Sequence, residues 1–147
     1  LNRSDFDFDH DDFEQMLGRA ARGFQLAQKR FHENISHWQE LARVKFGGKF
    51  SVDIVDGNNI DGLVLGKRFA IALSPIVTEK ESYAEAILSG RSLLSDENIE
   101  ICRFLISPNG SIFSSEEEGL LSSDNDLHSY KQLIAIARRV LQTPLQG

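Results

Sequence analysis

One apolar stripe near the N-terminus limits what this chain can fold into. Phe13, Leu17, Ala20, Phe24, Ala27, Phe31, Ile35, Trp38 and Ala42 fall within roughly ±40° of one another when wound at about 100° per residue. A helix carrying that stripe covers about thirty residues, or ~45 Å at ~1.5 Å per residue, longer than a small sheet is wide. It demands a large apolar partner. The spacing predicts a helix over 12–46, opened by a capping box at Asp11 and Glu14 and closed by Gly47 and Gly48, since glycine accepts the left-handed conformation common at helix ends. An acidic arm over 1–11 precedes it, where Phe6 and Phe8 alternate with acids and either staple the chain to the helix or add a short edge strand.

Beyond the glycines the hydrophobic period changes from 3.6 to 2. Val52 and Ile54 alternate with Ser51 and Asp53, Asp56-Gly57-Asn58-Asn59 forms a turn, Ile60 to Leu65 is extended, Gly66-Lys67 reverses the chain, and Phe69, Ile71 and Leu73 continue to about Val77. For 79–89 a helical capping box at Thr78 and Glu81 competes with the alternation of Tyr83, Glu85 and Ile87; we favour a strand. Ile99 to Ile106 is the clearest strand, with a hairpin signature at Pro108-Asn109-Gly110. Residues 115–126 read as an exposed acidic loop. Leu127, Tyr130, Leu133, Ile134, Ala137 and Leu141 mark a second helix over 127–142, capped by Asp124 or Asp126. The expected fold is α+β in one domain over 1–147: a long N-terminal helix, an antiparallel meander of five or six strands over 49–114, and a C-terminal helix packed on one sheet face.

The strand around Cys102 sharpens that expectation. Simple alternation places Glu100, Cys102, Phe104 and Ile106 on one side and Ile99, Ile101, Arg103 and Leu105 on the other, so both faces are largely apolar. Two helices cover one face only. Each exposed Leu, Ile or Phe forgoes ~1.5–3 kcal/mol of burial, and a homodimer is the most economical cover for the second.

Charge and composition exclude more than they select. The net charge of −6 disfavours a broad nucleic-acid footprint, although it conceals blocks of opposite sign. Residues 1–18 hold one basic and six acidic groups; residues 19–49 hold seven basic and two acidic ones. Apolar runs such as 69–73 fall far short of the ~18 residues of a membrane span, so no membrane association is expected. The acidic N-terminus does not resemble a signal peptide, while Leu rather than Met at position 1 leaves open a leader removed upstream. A lone Cys102 forms no internal disulfide and fits the cytoplasm, the expected location.

Motifs for chemistry are sparse. His32-Glu33 and His37 have HExxxH spacing, one residue longer than the zinc-protease pattern, which sets the imidazoles ~140° apart around a helix. Glu33, His37 and Glu40 share a polar face better explained by Lys29–Glu33 pairing. Asp5, Asp7, Asp9 and Asp11 lack the turn glycine and distal glutamate of a calcium loop. Neither His10 nor His128 is placed beside Cys102 by any spacing, and there is no phosphate loop, dinucleotide fingerprint or CxxC. We expect no catalysis, metal or cofactor. The expected function is a non-catalytic protein-binding module, chaperone-, immunity- or inhibitor-like by composition, and homodimeric. Its candidate contacts are Arg22, Lys29, Arg30 and Arg43 for a basic surface and Glu116, Glu117 and Glu118 for an acidic one. Two alternatives remain: a nucleic-acid-associated regulator using the basic helix face, and a small-molecule sensor or enzyme with a helix–sheet cavity near Cys102 and Tyr83.

Overall fold

The computed structural model describes residues 1–145. Helix α1, His10–Lys45, is followed by seven strands and helix α2, His128–Gln142. The strands are β1 (Phe50–Asp56), β2 (Asn59–Val64), β3 (Lys67–Val77), β4 (Ser82–Arg91), β5 (Asn98–Ile106), β6 (Ile112–Ser115) and β7 (Glu118–Leu121). They form one sheet in chain order, each pair antiparallel. The architecture is the expected α+β meander, with seven strands rather than five or six. The additional strand is β7, which occupies part of the segment expected as a loop over 115–126.

Local chemistry explains the element boundaries. Asp9, not the Asp11–Glu14 pair, caps α1: its carboxylate accepts from the amides of Asp11 at 3.1 Å and Asp12 at 3.3 Å, so the helix starts two residues before 12. Before it, Arg3–Phe6 makes a single 3-10 turn with its own capping box between Asn2 and Asp5, and Phe6 and Phe8 are exposed and lie in no strand. Gly47 and Gly48 end α1 at φ 56° and 80°. The Thr78 hydroxyl accepts from the amides of Lys80 at 3.3 Å and Glu81 at 3.1 Å, and donates to the Glu81 carbonyl at 3.0 Å. It closes a β3–β4 turn instead of capping a helix, and 82–91 is strand. At α2 neither Asp124 nor Asp126 caps; the N-cap is Leu127, with no side-chain hydrogen bond.

Both helices pack on one sheet face. Phe31, Ile35 and Trp38 of α1 and Leu133, Ile136 and Val140 of α2 meet Phe69, Ile71, Ala84, Ala86, Leu88, Phe104 and Ile106 in a single core. Phe31 lies edge-on to Trp38 at 5.6 Å. Trp38 Nε1 donates to the Ser129 carbonyl at 2.8 Å, and Asn34 Nδ2 donates to Gln132 Oε1 at 3.3 Å, locking α1 to α2. Gln28 Nε2 donates to the Gly57 carbonyl and to Asn58 Oδ1 at 2.9 Å, holding the β1–β2 turn against the middle of α1.

The opposite face is not the apolar surplus that alternation suggested. Leu88 pairs with Cys102 but Ser89 pairs with Glu100, so a bulge at Ile101 reverses the side-chain parity of β5. Glu100 moves to the open face, where Arg103 binds it at 2.7 Å and reaches Glu85 at 3.6 Å. Ile101 packs against the helix-side core. At the far end of the open face Tyr83 and Phe113 cover one another edge-on at 5.7 Å. A charged lattice and a small aromatic cluster occupy much of this face.

Candidate functional site

One stretch of exposed apolar side chains lies along the N-terminal part of α1. Gly23 is the first buried residue of the helix, and a Cβ there would stand 2.6 Å from Ser82 Cβ, so the helix backbone touches the start of β4 at this point. N-terminal to it, residues 10–22 span about 20 Å of helix and include no buried residue. The stripe continues regardless: Phe13 is 50% and Leu17 57% exposed, Ala20 is half-buried, and only Phe24 rests against the core. Phe8 lies beside Met16, Arg19 and Arg22 along the same stretch. The length of this helix was legible in the sequence, but where its burial stops was not.

The charged candidates separate into distinct groups. Arg22, Lys29, Arg30 and Arg43 are all exposed on α1, but Arg30 is 3.7 Å from Glu33 and Arg43 is 2.6 Å from Glu40. Among the described residues Arg22 and Lys29 have no ion pair, and both lie on the side of α1 away from the Phe13–Leu17 stripe. Glu116 and Glu117 form the β6–β7 turn and Glu118 opens β7. Glu117 and Glu118 face solvent; Glu116 is half-buried with Oε2 enclosed and unpartnered. Burial pushes the Tyr83 phenol above its ordinary value, and the charges of Glu81 and Glu116 add to that. The two charged candidate surfaces do not merge into one site.

Sequence motifs that suggested chemistry have other partners. His32 Nε2 donates to the Gly57 carbonyl at 3.1 Å, whereas His37 Nδ1 is 2.9 Å from Ser129 Oγ, so the two imidazoles serve different junctions. His10, Asp11 and Glu14 bring ligand-capable atoms within 4.8 Å, all exposed, with His10 Nε2 3.3 Å from Glu14 in an i,i+4 pair. Cys102 pairs with Leu88 and faces the helices, while Tyr83 has the opposite parity on β4, so the two share no cavity. Burial raises the Cys102 thiol above its ordinary range, partly opposed by Arg139. Sequence reasoning did not consider Leu93 and Leu94, which stand exposed in the β4–β5 turn.

Among the described residues no helix is long and apolar enough to cross a membrane. No family model, curated protein or solved structure matches the chain, and its functional reading rests on this geometry.

Proposed function

We propose that the protein is a non-catalytic protein-binding module, of a chaperone-, immunity- or inhibitor-like kind, that acts as a homodimer through the N-terminal part of α1. The observation that carries this reading is the continuation of the core stripe past Gly23, as exposed Phe13 and Leu17. Contiguous exposed apolar surface of this kind marks an interaction site.

Charge selects the partner and its direction. The first turns of α1 carry Asp9, Asp11, Asp12 and Glu14, and the next carry Arg19, Arg22 and Lys29. Two copies paired antiparallel about a two-fold axis bring the acidic end of each helix level with the basic middle of the other; Arg22 and Lys29 project from the side away from the stripe, so they act through the field along the helices and not as ion pairs across the seam. A parallel pair would set like charges together. Burying Phe13 and Leu17 in each copy contributes at most ~1.5–3 kcal/mol per side chain, enough to offset association costs only when the charges also match.

The test is a titration of fluorophore-labelled chain with unlabelled chain, read by anisotropy. Saturable binding that weakens at least about a hundredfold in Leu17→Asp, with circular dichroism unchanged, supports the proposal. Binding unchanged by Leu17→Asp contradicts it.

A further inference from the structure

A second feature, on the other side of the helical layer, points to a small ligand. Between α2 and strands β5 to β7 lies a cleft of about 470 Å³. Phe31 and Trp38 of α1, Phe104 of β5, Ile112 of β6, Leu121 of β7 and Ile136 of α2 make its walls almost wholly apolar. Ligand sites commonly enclose about 300–1,000 Å³, mostly apolar with a few directed polar groups. This cleft has such a group. Gln132 lines it, is only 6% exposed, and uses Oε1 to accept from Asn34, yet its Nε2 is buried without a hydrogen-bond partner. A buried donor left unmade is costly, and few native structures retain one without a reason.

Cations complete the opening. Lys131 and Arg139 stand exposed along the outer row of α2 that borders the cleft, one turn apart on either side of Ala135. Arg139 donates to the Ile101 carbonyl at 3.2 Å, which holds it over the β5 bulge. Cys102 sits in the same lining.

We propose that this cleft binds a small apolar carboxylic acid, its hydrocarbon body against the aromatic and aliphatic walls and its carboxylate accepting from Gln132 Nε2 in the field of Lys131 and Arg139. An apolar body satisfies the walls, an acceptor satisfies the orphan amide, and a negative charge satisfies the rim. A neutral alcohol meets only the first demand fully. The site is separate from the N-terminal part of α1, so either assignment can fail alone.

The structure supplies two reporters: Trp38, the single tryptophan, and Cys102, the single cysteine, both lining the cleft. Decanoate, below its micellar concentration, is titrated against the full chain with Trp38 fluorescence as readout, and decanol is the neutral control. The expected result is saturable change with decanoate, at least about tenfold weaker binding of decanol, and slowed reaction of Cys102 with a disulfide reagent when decanoate is bound. Gln132→Leu removes the donor, and the exposed pair Lys131→Gln with Arg139→Gln removes the rim charge without entering the core. Each should weaken decanoate at least about fivefold while leaving decanol unchanged. Absence of saturable binding, equal affinity for decanol, no protection of Cys102, or indifference to the rim variant would overturn the proposal.

Discussion

Leu65 occupies a position that its side chain opposes. It sits at φ 50° beside Gly66 at φ 80°, forming the two-residue β2–β3 turn one residue earlier than the sequence suggested. Primed hairpin turns need positive φ at both central positions, which favours Asn-Gly over Leu-Gly. A left-handed L-residue costs roughly 1–2 kcal/mol, less for Asn, so Leu65→Asn should stabilise the protein by about 0.5–1 kcal/mol in urea denaturation. The turn was legible from Gly66; its register was not, because Leu65 looks like the end of an apolar strand. Asp56 makes a second residue-scale prediction. Its carboxylate accepts from the Asn58 amide at 2.8 Å and from the Asn59 side chain at 3.1 Å, which holds it below its ordinary 3.8. A hydrogen bond from Arg103 likewise holds Glu100 below 4.5. Depressed folded-state values stabilise the protein above the unfolded pKa and cease to do so as pH falls through the folded one. Stability should therefore be insensitive to these groups near neutrality and decline below about pH 4, and Asp56→Asn should be closer to the parent in acid than at neutral pH. Denaturation midpoints measured from acid to neutral pH check both statements.

At the scale of elements, glycine chemistry shows where α1 leaves the body of the fold. A side chain at Gly23 meets Ser82 Cβ at 2.6 Å and the Ser82 carbonyl at 3.3 Å, while one at Gly18 meets only the mobile Arg22 Nη1 at 3.4 Å. The same kind of substitution should thus have opposite signs. Gly23→Val should destabilise by about 1–3 kcal/mol by prising the helix from β4, and Gly18→Ala should stabilise by about 0.5–1 kcal/mol through helix propensity. Thermal or chemical denaturation of the two variants reads the difference. Elements were legible where period and turn chemistry agreed, as in α1, α2 and the strands around Ile71 and Phe104. They were misread where one residue breaks a period: the bulge at Ile101 carries no distinct residue type, and it moved Glu100 to the open face and Ile101 to the core. Thr78 shows the same limit, since one hydroxyl geometry serves a helix cap and a strand turn alike.

For the whole molecule, the strand alternation read from the sequence put apolar surface on a sheet face that the β5 bulge makes partly charged. Exposed apolar side chains are spread over several elements, among them Phe13 and Leu17 on the N-terminal part of α1 and Leu93 and Leu94 after β4, while on the open sheet face Arg103, Glu85 and Glu100 interlock. Reading the site required knowing where the burial of α1 ends, a fact set by strand lengths and crossing geometry rather than by any motif. Of the basic residues named from the sequence, Arg30 and Arg43 are paired with neighbouring glutamates on α1, and the charge of Glu116 acts on Tyr83. Because the proposed pairing sets acidic and basic helix segments level with one another, raising the salt concentration should weaken dimerisation, and Arg22→Glu, which lies away from the seam, should weaken it only at low salt. The most direct test is sedimentation equilibrium of the unmodified chain across the micromolar range at physiological ionic strength. The account predicts a mass approaching twice the 16.5 kDa of one chain, returning to a single chain in Leu17→Asp. A monomer mass for the unmodified chain at every concentration would contradict it.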